Sequence, residues 1–299
     1  MREELFKNCT LCPRKCNVNR LEGKRGYCGM DSTIRAARAA LHMWEEPCIS
    51  GKKGSGAVFF SGCGLRCCFC QNRDIAIGDS GKEISVERLA EIFLELQEKG
   101  AANLNLVTGA HYVPHIILAL ELARGKGMNL PVVYNSSGYE SVETIRRLDG
   151  YVDVYLPDMK YMEPELAAAF SNARDYPQAQ SAIAEMMRQT GPCQFAEDGY
   201  IKRGTIVRHL ILPGHTKNSI AVLKYLYRTY GEDIFISVMN QYTPVWKNEK
   251  FPELNRKVTR REYEKVLDAA IELGIENGYF QEGETAEESF IPAFDYEGV

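Results

Sequence analysis

The stretch Phe59-Phe60-Ser61-Gly62-Cys63-Gly64-Leu65-Arg66-Cys67-Cys68-Phe69-Cys70-Gln71-Asn72-Arg73 constrains this chain more than any other. Cys63, Cys67 and Cys70 stand in a C-x3-C-x2-C spacing, directly after a short apolar run that reads as a strand. Three thiolates so close in sequence can hold three corners of a cubane [4Fe–4S] cluster, whose fully ligated form takes four cysteines. One iron is then left open to a further ligand. Zinc is the competing reading. Structural zinc normally closes a four-ligand shell, often from two paired C-x2-C turns, whereas a single loop here supplies three ligands.

Composition decides the compartment and excludes some partners. With 45% hydrophobic and 25% charged residues, the 299-residue chain reads as an ordinary globular protein with material for one large core and an appendage. A net charge of −4 gives no basic excess for an extended nucleic-acid surface. No apolar run reaches the roughly 18 residues that span a bilayer. The start, Met1-Arg2-Glu3-Glu4-Leu5, carries acids where a signal peptide has positive charge and then an apolar core. The expectation is a cytoplasmic protein with neither nucleic-acid nor membrane partners. Its ten cysteines then call for metal or redox chemistry rather than disulfides.

Seven of those cysteines fall into two groups. Besides the loop above, Cys9, Cys12, Cys16 and Cys28 follow a C-x2-C-x3-C-x11-C pattern in a segment too short and polar to bury its own core. A metal staple is expected there, either a second [4Fe–4S] cluster or a structural zinc. Cys48, Cys68 and Cys193 read as small hydrophobes. Residues 33–43, which include His42, read as a short helix. Turn signals at Pro47, Gly51, Gly54 and Gly56 follow. The expected division is a cysteine-rich metal-binding module and connector at 1–50, then a barrel with a C-terminal extension at 51–299.

From Gly56 onward short apolar strands alternate with amphipathic helices. Strands are expected at 57–61, 103–107, 131–135, 152–156, 205–212 and 234–239. Helices are expected at 86–98, 114–124, 142–148, 179–189, 219–230 and 260–273. Alternating βα units imply a parallel sheet with helices outside, and chemistry at the carboxyl ends of the strands. Those ends deliver the cysteine loop, Thr108-Gly109-Ala110-His111, Asn135-Ser136-Ser137-Gly138-Tyr139, Asp158-Met159-Lys160, Pro213-Gly214-His215 and Asn240-Gln241-Tyr242. His111 and His215 are candidate site residues by position. His209 reads as a structural histidine and His115 as a helix residue without a role. The region 161–200 is longer than one crossover needs, and the aromatic tail 290–296 is placed to cross the barrel mouth.

Cys63, Cys67, Phe69 and Cys70 resemble the C-x3-C-x-(aromatic)-C signature of the radical S-adenosylmethionine (SAM) superfamily. Within it, Gly54-Ser55-Gly56 through Asn72 is most similar to the activating enzymes of glycyl-radical enzymes, such as pyruvate formate-lyase activating enzymes. The resemblance implies an α/β fold, a partial (β/α)6 TIM-like barrel, carrying a [4Fe–4S] cluster whose open iron chelates SAM. It implies an oxidoreductase that cleaves SAM reductively to a 5′-deoxyadenosyl radical for hydrogen abstraction, fed by a donor such as flavodoxin or ferredoxin. A protein substrate is possible on this reading.

The resemblance also assigns cofactor-binding residues. Thr108 and Gly109 occupy the place of a Gly-Gly-Glu segment whose backbone meets the SAM amino group, although the glutamate is missing. Ser137 resembles a polar residue that meets SAM after the third strand. Asp158-Met159-Lys160 looks like the activating enzymes' Asp-Leu-Lys, with Lys160 facing the SAM carboxylate. The alternative function is a radical SAM enzyme acting on a small molecule or another protein residue. A non-catalytic two-cluster electron carrier is a third reading, opposed by the polar strand ends and Lys160.

Overall fold

The structure, a computed structural model, describes residues 4–78, 80–281 and 292–299. Five strands occupy the first half: β1 (Ile34–His42), β2 (Ser55–Phe60), β3 (Lys82–Ile84), β4 (Leu104–Val107) and β5 (Val132–Ser136). In the second half come β6 (Val154–Pro157), β7 (Gln194–Phe195), β8 (Ile201–Leu210), β9 (Phe235–Met239) and β10 (Gly278–Phe280). They form one curved path in the order β10-β9-β8-β6-β5-β4-β2-β1-β3, with β7 attached to β8 as a side hairpin. Every pairing from β2 to β10 along the path is parallel, whereas β1 is antiparallel to both β2 and β3.

The parallel strands form because both of their faces are covered. β2, β4, β5 and β6 are buried along their whole length, which is why their sequences read as continuous apolar runs. Three short helices, α1 (Glu4–Lys7), α2 (Pro47–Ser50) and α3 (Arg73–Ala76), serve the N-terminal segment and the cysteine loop. The crossovers are α4 (Val86–Glu98), α5 (Val113–Gly125), α6 (Val142–Arg147), α7 (Pro164–Ser171), α8 (Ala179–Thr190), α9 (Thr216–Tyr230) and α10 (Arg260–Leu273). Ser85, Ser141 and Thr259 cap α4, α6 and α10 by accepting backbone N–H bonds. Leu89, Phe93 and Leu96 of α4 and Ile116 and Leu120 of α5 pack on the outer face of the sheet with Val58, Leu104, Leu106 and Val132.

The six expected strands correspond to β2, β4, β5, β6, β8 and β9, and β10 adds a seventh parallel strand. The long region 161–200 holds α7, α8 and β7. Residues 33–43 form the strand β1, not a helix, and His42 lies on that strand. The alanines of Ile34-Arg35-Ala36-Ala37-Arg38-Ala39-Ala40 favour a helix locally, but pairing with β2 over 36–42 overrides a preference of a few tenths of a kcal/mol per residue, roughly. Small side chains suit the position: Ala36, Ala37 and Ala39 are wholly buried between layers.

Of the aromatic tail, Phe290 and Ile291 lie outside the described residues. From Pro292 the chain runs along β1, where Ala39 N–H reaches Glu297 O at 2.8 Å and Tyr296 N–H reaches Ala37 O at 3.1 Å. Phe294 meets Phe59 edge-on with ring centroids 5.6 Å apart.

The loops at the strand ends are locked to each other by Gly138. Its φ of +74° is left-handed, and a Cβ there would overlap the Asp158 carbonyl oxygen. The Tyr176 hydroxyl lies 2.8 Å from Ser137 O and 2.9 Å from Asp158 O, and accepts Lys160 N–H at 2.9 Å. Gly138→Ala is expected to lower the unfolding free energy by more than about 1 kcal/mol, read by denaturant unfolding. A variant as stable as the wild type would mean that the two loops adjust independently.

Candidate active site

Strand β2 ends at Phe60 and hands the chain to the cysteine loop through Gly62 (φ +91°). A Cβ on Gly62 would stand 2.5 Å from Met30 Cγ and 2.9 Å from Cys28 O, so glycine lets the N-terminal segment lie against the loop. Within the loop the sulfurs have donors around them. Leu65 N–H points to Cys63 Sγ at 3.4 Å, and the Ser171 hydroxyl donates to Cys67 Sγ at 2.9 Å. The Asn72 N–H serves Cys70. Burial pushes the Cys67 thiol up to about 11, against the nearby Lys160 charge, and raises Cys70 as well. As thiolates these sulfurs need a bound cation, and their donor set suits iron. Cys68 differs: its neighbours are Asn248, Lys250 and Glu253.

Cys63, Cys67 and Cys70 open onto a cavity of about 240 Å³ at the carboxyl ends of the strands. Thr108, Ser137, Asp158 and Lys160 line the same cavity, so four of the five residues expected for the cofactor are brought together with the three thiols. Gly109 stands behind it, where a Cβ would press on Ile116 and Phe60. Thr108 has a left-handed φ of +60°, and its N–H bonds Asn135 O at 2.9 Å.

The floor of the cavity is an ion network that sequence reading missed. Arg208 on β8 donates from Nε to Asp158 Oδ1 at 3.0 Å, from Nη1 to Glu45 Oε2 at 3.1 Å and from Nη2 to Asn135 Oδ1 at 2.7 Å. Lys160 Nζ meets the other Asp158 oxygen at 2.5 Å. Asn105 and Asn135 both donate to Glu45 Oε1, at 3.1 and 3.0 Å. Burial opposes the charge on Asp158, but Lys160 and Arg208 outweigh it and hold its carboxyl below the usual range. Burial wins at Glu45, which is raised despite Arg208. A guanidinium inside the apolar run Ile206-Val207-Arg208-His209-Leu210 was the available signal, because a buried charge requires partners.

The candidate histidines do not reach the cavity wall. His111 lies buried with Nε2 2.7 Å from Ser61 O, and burial drives it down to about 3. His215 packs edge-on to Phe170 with Nε2 3.6 Å from Glu253. His209, read as structural, is buried with Nδ1 2.6 Å from Met159 O. His115 lies on α5 with Nε2 2.9 Å from Ser32 O.

The N-terminal cysteines form a second group. Cys16 Sγ accepts Tyr27 N–H at 3.2 Å, and Arg20 Nη1 lies 3.8 Å from Cys9 Sγ. Arg14 N–H serves Cys12 and Met30 N–H serves Cys28. An ideal Cβ on Gly26 stands 3.4 Å from Cys16 Sγ and 3.7 Å from Cys28 Sγ. Among the described residues, no three His, Cys, Asp or Glu side chains are gathered closely enough to hold a single metal ion. That holds for both cysteine groups.

Comparison with known proteins decides the family. Residues 57–226 match the family model described as the radical SAM superfamily. The chain belongs to the radical SAM superfamily. An uncharacterised protein of Methanocaldococcus jannaschii is 30% identical over 275 residues, covering 90% of this chain and 75% of the relative. A pyruvate formate-lyase-activating enzyme of Clostridium pasteurianum is 27% identical over 113 residues, 36% of this chain and 46% of the relative. A crystal structure of a radical SAM methyltransferase from Sphaerobacter thermophilus shares the fold, with a TM-score of 0.52 and 15% identity over 76% of this chain and 66% of that one.

Membership makes the protein a radical SAM superfamily enzyme and implies a [4Fe–4S] cluster and SAM. The signature's three cysteines line one cavity large enough for a small ligand, and a cubane, unlike a single ion, takes each thiolate at a separate iron, so the residues fit both. No described helix is long and apolar enough to cross a membrane.

Removing Arg208 would leave Asp158 with Lys160 as its cation and Glu45 with only the Asn105 and Asn135 donors. Arg208→Met is expected to cost about 3–5 kcal/mol of stability, measured by denaturant unfolding. A loss under about 1 kcal/mol would show that water reaches the floor and screens the acids.

Proposed function

We propose that the chain cleaves SAM reductively at a [4Fe–4S] cluster held by Cys63, Cys67 and Cys70. The observation that carries this is one cavity lined both by the three thiols and by the Asp158–Lys160 pair. When bound, the cluster supplies one electron to the SAM sulfonium, which yields methionine and a 5′-deoxyadenosyl radical for hydrogen abstraction. The chain's own residues bind and orient. Lys160, fixed by Asp158 and by Tyr176 at its backbone, offers a cation to the SAM carboxylate. Ser137 and Thr108 offer polar groups on the neighbouring strand ends. Apolar lining residues, among them Phe59, Phe69, Val107 and Leu210, limit the water around the reacting atoms.

The finer reading is an activating enzyme of the glycyl-radical type, supported by the partial likeness to the clostridial activating enzyme. A protein loop as substrate and a flavodoxin or ferredoxin as donor belong to this reading, as does a cytoplasmic location. A radical SAM enzyme that modifies a small molecule or another protein residue is the alternative. A glycyl-radical enzyme encoded in the same operon would separate the two. The module of residues 1–50 adds a second metal centre at Cys9, Cys12, Cys16 and Cys28, while its strand β1 completes the sheet of the barrel at 51–299.

Anaerobic reconstitution followed by product analysis tests the reading. Wild-type protein is expected to form 5′-deoxyadenosine with dithionite, whereas Cys63→Ala, Cys67→Ala and Cys70→Ala form none. Cys68→Ala remains active, since its sulfur points to Asn248. An active Cys67→Ala beside a dead Cys68→Ala would sink the assignment. Lys160→Ala is expected to retain the cluster but to bind SAM about tenfold or more weakly, followed by EPR titration with labelled SAM. Unchanged affinity would reduce Lys160 to the partner of Asp158. Total metal of about eight irons per chain marks a second cubane, and about four irons with one zinc marks a zinc centre.

A further inference from the structure

Arg14 lies between Cys12 and Cys16 in sequence, so a metal bound to both sulfurs would fix its backbone from both sides. Its side chain leaves the N-terminal segment. Nε donates to Gly64 O at 2.8 Å, Nη1 to Asn172 O at 2.6 Å and Nη2 to Ser171 O at 3.3 Å. Gly64 follows Cys63. Ser171 ends α7, and its hydroxyl is the donor to Cys67 Sγ. The next contact of the same helix is Phe170 O, which accepts Cys68 N–H at 2.8 Å. One planar fork thus holds a carbonyl of the cysteine loop and two carbonyls at the end of α7, a task that suits guanidinium rather than ammonium.

Other contacts join the same two parts. The Tyr27 ring, beside Cys28, takes the Arg14 guanidinium at 4.0 Å and the Arg66 guanidinium at 5.1 Å. Cys12 Sγ stands 3.7 Å from the place a Gly64 Cβ would take. Cys12, Cys28 and Cys63 line one cavity of about 20 Å³. A helix cap alone would account for the Ser171 and Asn172 contacts, but not for the bond from Nε into the loop at Gly64.

We infer that Arg14 is a positioning residue that couples metal occupancy of the Cys9/Cys12/Cys16/Cys28 site to the geometry of the Cys63 and Cys67 ligands. The inference rests on the reading that those four cysteines bind one metal centre. Emptying the N-terminal site would free the Arg14 backbone, loosen its three carbonyl contacts and change how Ser171 presents its hydroxyl to Cys67. The N-terminal centre then controls the electronic environment of the catalytic cluster without touching SAM.

The test uses full-length protein prepared anaerobically, with metal content, EPR spectrum and midpoint potential of the Cys63/Cys67/Cys70 cluster as readouts. Arg14→Ala is expected to keep wild-type metal at both sites, to shift that cluster's spectrum and potential, and to slow 5′-deoxyadenosine formation about tenfold or more. Arg14→Lys, which retains a cation near Tyr27 but not the fork, gives an intermediate spectrum, and it carries the comparison should the alanine variant not fold. The double variant Cys12→Ala/Cys16→Ala loses the N-terminal metal and reproduces the Arg14→Ala shift, with no further change when Arg14→Ala is added. Arg14 variants with both centres loaded and wild-type spectrum and potential would overturn the inference alone. Wild-type protein that binds metal only at Cys63, Cys67 and Cys70 would overturn the four-cysteine reading and the inference with it.

Discussion

A guanidinium in the middle of a barrel is tolerated only when acceptors surround it, and Arg208 is placed in that way. Its three partners come from three separate elements: Glu45 from the connection after β1, Asn135 from β5 and Asp158 from the end of β6. Each would be costly to leave behind, so the network ties the order of the strands to the position of the N-terminal connection. Lys160 is poised by the same arrangement, because Asp158 faces Arg208 with one oxygen and Lys160 with the other. The floor of the cavity and the cation that acts on Cys67 are therefore one electrostatic unit.

The cysteine loop obeys a related constraint. Buried sulfur resists ionisation, as the upward shifts of Cys12, Cys67 and Cys70 show, and burial is the largest cause in each. N–H and O–H donors around the sulfurs offset part of that resistance. Both cysteine groups are furnished in this way, which is the common physical feature of a motif at residue 63 and a motif at residue 9. What differs is the surroundings. The first group opens onto the large cavity, while the second lies beside the loop, α6 and the polar turn after β5, with Cys12 and Cys16 half-buried and Leu11 O accepting the Thr144 hydroxyl at 2.8 Å.

The barrel was legible because parallel strands buried on both faces announce themselves as short apolar runs, as in Val132-Val133-Tyr134, and because each is followed by a helix of period 3.6. The thiols were legible because their spacing is chemical and local. Glu45, Arg208 and Arg14 were not, since each acts on partners more than 49 residues away, and only the folded chain brings them together. β1 was misread for the same reason: alanines carry a local helical preference, while the decisive fact is an edge of β2 that needs a partner. Gly109 matched a motif position, yet its backbone lies behind the cavity wall, against Phe60 and Ile116.

The open side of the barrel poses the remaining physical problem, because a radical reaction needs walls and a substrate needs a way in. On the β1 side, residues 292–299 supply a wall: Pro292 reaches the cavity, and Phe294 covers Phe59. Arg38 faces Asp295 and Glu297, but both carboxylates are more than half or about half exposed, at 57% and 50%, so water and salt screen these pairs. The strap is held by its backbone bonds to Ala37 and Ala39, by Arg38, Lys82 and Arg88 donating to the carbonyls of Ala293, Val299 and Gly298, and by Phe294 against Phe59. On this side the enclosure is built from the C-terminal residues, whereas the thiols and the Arg208 floor are built from the strand ends.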